Sequence, residues 1–302
     1  MRRKTATIER TICAVVLLDG NWLSHAGSLN PPPGPVTGTM KTLDEVEART
    51  PISTFGITIS TSGSYYFTQN LDVAACGGHG IVIDADDVTL DLNGFTLSHT
   101  FNCSLDGIHV SGARRNIAIM NGTVRGFSND GVDLSTALNS RVSDLNLFEN
   151  GQTAGEGLQS GEGSYVVRCT AENNGGRGIV VGASSTIRNC TAQNNGNVGF
   201  LVNQSSTISH CSAQSNQING FHVVNSTITH CTAGNNTGAG VNGNGILISQ
   251  GLVADCTTHD NQGDGIEAFN SLVHGNTSFS NGGMPINNSV ASSTVVNNHA
   301  VP

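Results

Sequence analysis

Ser184-Ser-Thr-Ile-Arg-Asn-Cys-Thr-Ala-Gln-Asn-Asn-Gly196 is followed by Ser206-Thr-Ile-Ser-His-Cys-Ser-Ala-Gln-Ser-Asn216 and then by Ser226-Thr-Ile-Thr-His-Cys-Thr-Ala-Gly-Asn-Asn236. Cys169, Cys190, Cys211, Cys231 and Cys256 recur every 20 to 25 residues, the period of a stacked coil rather than of a globular domain. A second column runs further in both directions: a Gly before an apolar-x-apolar triplet. It occurs at Gly80-Ile-Val-Ile83, Gly107-Ile-His-Val110, Gly131-Val-Asp-Leu134, Gly157-Leu158, Gly178-Ile179, Gly199-Phe200, Gly220-Phe221, Gly245-Ile246 and Gly265-Ile266, with Pro285-Ile286 ending the series. Alternation over such short runs, bounded by Gly, Asn and Ser, reads as strands joined by tight turns. No repeat reads as a helix.

Single strands of this kind cannot bury an apolar face alone. Stacking each coil on the last pairs equivalent strands in parallel, ~4.8 Å apart, and builds one continuous apolar column. Each fully buried Ile, Leu, Val or Phe then contributes roughly 1.5–3 kcal/mol relative to exposure. A spacing of just over twenty residues suits three short strands per coil. The fold expected is all-β: a right-handed single-stranded parallel β-helix, or solenoid, of about ten coils.

Three segments are expected. Residues 1–26 read as a signal peptide, with Arg2, Arg3, Lys4 and Arg10 before the apolar run Ile12–Leu18 and the small-residue stretch Ser24-His-Ala26. Residues 27–56 form a linker and N-terminal arm or cap, opening on the stiff Pro31-Pro-Pro-Gly-Pro35; the cap answers the unpaired backbone at an open β-helix end. Residues 57–302 form the solenoid. No stretch is long enough to span a bilayer, and the expected location is outside the cell or in the cell envelope.

Composition excludes one class of partner. With a formal charge of −9, 12% charged residues and only Lys4 and Lys41 as lysines, the chain lacks the clustered cations that a nucleic-acid surface needs.

The five recurring cysteines read as a buried thiol column, because Leu145 occupies the same position one coil earlier and free Cys behaves as a small hydrophobe. Ligands stacked in a line do not converge on a tetrahedral ion. Cys76 and Cys103 form a separate pair, each three residues before the residue preceding a repeat Gly. They fall on adjacent coils at a spacing compatible with a disulfide, which an exported protein keeps.

The phrases Asp87-Val-Thr-Leu-Asp-Leu-Asn-Gly-Phe-Thr-Leu97 and the repeated Asn-Asn-Gly-x-x-Gly-Ile resemble the right-handed parallel β-helix proteins of the pectin-lyase-like superfamily. The stretches Gly38-Thr-Met-Lys-Thr-Leu-Asp-Glu-Val-Glu47 and Gly63-Ser-Tyr-Tyr-Phe67 resemble secreted bacterial members without an assigned reaction. The resemblance covers about residues 38–298 and implies the fold. It carries no activity across: the Asn-Thr-Asp and Arg-Ile-Lys motifs of polygalacturonase-like relatives and the Asp-Pro-His-Asp motif of alginate epimerase-like relatives are absent.

Chemistry-bearing residues gather on the early coils. The residue before the repeat Gly is His79, then Asp106, Asp130, Glu156 and Arg177; the middle residue of the triplet is Val82, then His109, Asp133 and Gln159. Strand parity turns His109 and Asp133 outward, since Ile108 and Val132 point in. The residues before Gly lie in turns, where parity leaves their direction open. If they face solvent, Asp106, Asp130, Asp133 and Glu156 join His109 and Arg177 in one candidate catalytic cluster.

Carboxylates one coil apart would be ~5 Å apart and two coils ~9–10 Å, near the retaining and inverting arrangements of glycosidases. The same oxygens suit Ca²⁺, and a merely solvated acidic face is the plainest reading. Two functions follow. One is an exported β-helix protein that binds extracellular or cell-wall polysaccharide, or presents an adhesive surface, without turnover. The other is a polysaccharide-processing enzyme of the glycoside hydrolase or lyase type.

Overall fold

The computed structural model describes residues 47–73, 77–100, 105–152, 154–238, 243–288 and 293–301. The expected signal peptide, most of the linker, and both Cys76 and Cys103 with their expected bridge lie outside these residues. Among the described residues all regular structure is strand, and no helix is long and apolar enough to cross a membrane.

The glycine column becomes one sheet of eleven parallel strands, from Ile57–Ile59 to Ile286–Asn287. Its register matches the sequence column: Ile81 pairs with Ile108, Ile108 with Val132, Val132 with Leu158, Leu158 with Ile179, and onward through Phe200, Phe221, Ile246 and Ile266 to Ile286. From Ile81 to Ile266 these inward residues are fully buried, and the rings of Phe200 and Phe221 stack 5.0 Å apart. The other two faces of each coil form a second parallel array. The eight-residue strands Ala118–Arg125 and Arg141–Phe148 run through both of these faces and join them.

Three corners of the coil are each built from a residue in the left-handed conformation followed by a ladder residue. Asn173, Asn194, Ser215, Asn235 and Asp260 take φ of 53–54°, a conformation that short polar side chains tolerate. Asn174, Asn195, Asn216, Asn236 and Asn261 follow them, all buried. Each accepts on Oδ1 the backbone N–H and the side-chain amide of the Asn one coil earlier, as Asn195 does from Asn174 at 3.1 and 3.0 Å.

A serine corner works the same way, with the N–H of Ser164 donating to Ser185 Oγ, Ser185 to Ser206 and Ser206 to Ser226. The third corner is the cysteine column. The N–H of Cys169 donates to Cys190 Sγ, Cys190 to Cys211 and Cys211 to Cys231, each at 3.4 Å, and Cys231 donates to Cys256 at 3.5 Å. All five are free, buried thiols. The Cys169 thiol is held well above its usual range by its hydrogen bond with Cys190 and by burial. These ladders satisfy the turn backbone that would otherwise be unpaired inside the solenoid. They also account for the glycine column: a Cβ at Gly157 would sit 2.7 Å from Gly178 O and 2.8 Å from the Asn174 amide.

One boundary shifts. Thr50–Ile52, expected within an arm ending at residue 56, is the first parallel strand, with Thr50 opposite Tyr65 and Ile52 opposite Phe67. Ile52 is buried in the core; the strand belongs to the second array, whose strands the glycine column does not mark. Arg49 fastens this end by bonding Glu47 and Asp91 and lying 4.5 Å over the Tyr66 ring.

Candidate functional site

The corner before the glycine column is a fourth ladder, and it carries the candidate site. The N–H of Asp106 donates to His79 Nδ1 at 3.1 Å, that of Asp130 to Asp106 Oδ1 at 3.0 Å, and that of Glu156 to Asp130 Oδ1 at 2.7 Å. Asp106 and Asp130 therefore face the backbone of the next coil. They are 2% and 5% exposed, which decides against the expectation that they line an open acidic face. His109 and Asp133 point outward as parity requires, on paired strand positions.

Around Asp106 the side chains converge. His79 and His109 stack with ring centroids 4.3 Å apart and planes within 10°. Asp106 Oδ2 lies 3.2 Å from His79 Nδ1 and 3.1 Å from His109 Nδ1, and Asp133 Oδ2 lies 3.2 Å from the same His109 nitrogen. Asn129 donates its side-chain amide to Asp106 Oδ1, and the N–H of Ser135 donates to Asp133 Oδ1 at 2.9 Å. Both imidazoles are about 30% exposed, so this polar knot opens to solvent on its histidine side.

Electrostatics follow from depth. Burial pushes Asp130 up to about 8; the Glu156 N–H bond pulls against this, and the neighbouring Glu156 and Asp106 carboxyls add to it. Burial holds His79 below the usual histidine value, opposed by Asp106 and Asp133. Glu156 leaves the knot and pairs with Arg177 Nη1 at 3.0 Å.

Beyond Arg177 the same face becomes a shallow groove lined by Arg177, Val198, Leu201, Asn219, His222 and Leu247, with Asn219 itself buried. Leu201, His222 and Leu247 are consecutive outward residues of the glycine-column sheet. Burial, with Arg177 nearby, holds His222 below its usual value.

The family model described as a right handed beta helix region matches residues 55–228. The chain belongs to the right-handed β-helix family. Among solved structures, this β-helix resembles the A-module of mannuronan C-5 epimerase AlgE6 from Azotobacter vinelandii, with 15% identity and a TM-score of 0.63 over 84% of this chain and 90% of that one. It also resembles the AlgE4 A-module from the same organism, with 16% identity and a TM-score of 0.56 over 80% and 87% of the two chains. A double mutant of the periplasmic alginate epimerase AlgG gives 12% identity and a TM-score of 0.55 over 81% and 75%. At these identities the likeness is one of fold. Comparison with curated protein sequences finds no match.

Of the six expected site residues, the β-helix brings Asp106 and Asp133 onto His109 and bonds the Asp130 N–H to Asp106. Glu156 and Arg177 form an ion pair one step along the face. His79 and Asn129 complete the knot and were not among the expected residues. His79 stands in the same column as Asp106, so the column itself held the signal; Asn129 belongs to no repeat position, and only the folded turn brings it to Asp106.

Proposed function

We propose that this is an exported protein that binds polysaccharide along the outer face of the glycine-column sheet. The glycan lies over the groove from Arg177 to Leu247 and runs toward the His79–Asp106–His109 knot. The observation that carries the reading is the make-up of that face. Leu201 and Leu247 offer apolar ground for sugar C–H faces, while Arg177 and His222, which stands between the two leucines, supply polar partners, the mixture that small polar-ligand sites use. Arg177 favours an anionic sugar, since its guanidinium matches a carboxylate. The likeness in fold to mannuronan and alginate epimerases supports polysaccharide as the partner class, and the periplasmic location of AlgG supports an exported chain.

The test is calorimetric titration of the purified chain with polymannuronate, polyguluronate, polygalacturonate and neutral glucans, with product analysis by NMR. Binding to an acidic glycan without new products is expected, weakened at least about tenfold by Leu201→Ala or Arg177→Ala, the size of effect expected at a binding hot spot. No binding to any glycan would refute the proposal.

A second reading is favoured by one observation: His79 and His109, partly exposed, rest on a carboxyl group anchored by two donors, an acid–base arrangement. On that reading the chain turns the glycan over, and His109→Ala or Asp133→Asn abolishes product formation while leaving affinity within about threefold, a loss confined to the transition state.

A further inference from the structure

Asp106 and Asp133 share an arrangement that a corner ladder does not require. Each fixes Oδ1 on a backbone amide, Asp130 N–H and Ser135 N–H respectively, and each aims Oδ2 at the same nitrogen, His109 Nδ1, from 3.1 and 3.2 Å. Asp106 Oδ2 is also 3.2 Å from His79 Nδ1. Protons are too few for these contacts. His79 Nδ1 already accepts the Asp106 N–H, so it has none to give to Oδ2, and the one proton on His109 Nδ1 has to be shared between two carboxylate oxygens, which weakens both bonds. A cation set against Asp106 Oδ2, Asp133 Oδ2 and His109 Nδ1 satisfies those three, and His79 joins it once its ring turns from the Asp106 N–H.

The spacing agrees. Donor atoms ~2.0–2.1 Å from a tetrahedral ion lie ~3.3 Å from one another, and three separations here are 3.1–3.2 Å. The ligand atoms of His79, Asp106 and His109 all fall within 4.8 Å of one another.

We infer that His79, Asp106 and His109, with Asp133 as fourth donor, form a binding site for a divalent ion of the zinc or cobalt class. Two imidazole nitrogens and two carboxylate oxygens suit such ions, whereas Ca²⁺ takes six to eight oxygens. Asn129 and the Asp130 N–H hold Asp106, and the Ser135 N–H holds Asp133, the outer-shell support that ligating side chains need. His79 is the ligand that turns on loading, because its lone pair is directed at the Asp106 N–H. The site goes beyond the glycan proposal and is measured without glycan, so either can fail alone.

The experiment is titration of the untagged, EDTA-stripped full chain with Co(II), followed by displacement with Zn(II), read by visible absorption and calorimetry. One ion per chain and cobalt d–d bands are expected. His79→Ala and His109→Ala each weaken uptake more than about 100-fold, and Asn129→Ala, which keeps every ligand, weakens it about 10–100-fold. His210→Ala, which dismantles the separate His210–His230 stack at 5.0 Å, leaves uptake unchanged. Far-UV circular dichroism checks that each variant is folded. The inference is overturned by absence of stoichiometric uptake, by uptake indifferent to both histidine variants, by loss in His210→Ala, or by sulfur-to-cobalt charge-transfer bands that place the ion on cysteine.

Discussion

In the early coils the corner before the glycine column is closed by Asp106 and Asp130, whose Oδ1 atoms accept the N–H of the next coil at 3.0 and 2.7 Å. In the late coils Asn219 and Asn244 make the same bond, at 2.9 and 2.7 Å. All four side chains are buried. A neutral amide therefore does the structural job, and a carboxyl group does it at the added cost of removing a charge, or a proton-bearing oxygen, from water. Asp264 returns to acid further along, where the corner is only half-buried and that cost is smaller. Acid held in the buried early corner, beside two histidines and an outward Asp133, marks a place where the sequence departs from the cheapest ladder, and such departures concentrate at functional sites.

The largest effect is expected when the late corner is given the chemistry of the early one. Asn244 donates its amide to Glu267 Oε2 at 2.6 Å, so Asn244→Asp sets carboxyl against carboxyl and is expected to cost on the order of 3 kcal/mol at pH 8. The loss should shrink at pH 5, where a shared proton is available. Urea unfolding at the two pH values checks this; a loss below about 1 kcal/mol would mean that the corner is indifferent to charge.

Asp106→Asn sharpens the comparison from the other side. The amide retains an oxygen for the Asp130 N–H, so stability is expected to stay within about 1 kcal/mol while metal uptake is lost. In the metal-free variant His79 should titrate lower still than in the parent chain, because the Asp106 charge that opposes the effect of burial is gone. Proton NMR of the His79 ring reads the change, and an upward move would contradict the assignment. The smallest effect on stability is expected for Arg177→Ala. Its ion pair with Glu156 is 38% exposed on the arginine side, so less than about 1 kcal/mol should be lost even as affinity for an acidic glycan falls; a large stability loss would make Arg177 a structural residue.

The architecture was readable because its two strongest columns are chemically distinctive: Cys and Gly recur where few other residues fit. The serine and asparagine ladders were present in the same repeats, but Ser and Asn are also the ordinary vocabulary of turns, so a buried ladder and a solvated bend share one spelling. The same ambiguity hid the direction of Asp106 and Asp130. Strand parity oriented His109 and Asp133 correctly and ends at the turn, where backbone dihedrals, not alternation, decide where a side chain points. Thr50–Ile52 escaped because it pairs with Gly63–Phe67 in the second array, whose strands the glycine column does not mark. Asn129 reaches Asp106 across 23 residues through one coil's height, a contact that only the stacking register creates.

The most direct test of the idea that the early corner carries acid at a structural cost is the pH dependence of unfolding for Asp130→Asn against the parent chain. With the folded value raised to about 8 and an unfolded value near ~3.9, the native chain keeps a proton that the unfolded chain releases across this window. Stability from Asp130 is thus fully present at low pH and is lost as pH rises through about 8. Asparagine mimics the protonated acid and removes that slope. The variant should match the parent near pH 4 and exceed it in stability at pH 9; parallel pH profiles, or a variant less stable than the parent at pH 9, would show that the acid carries no such cost.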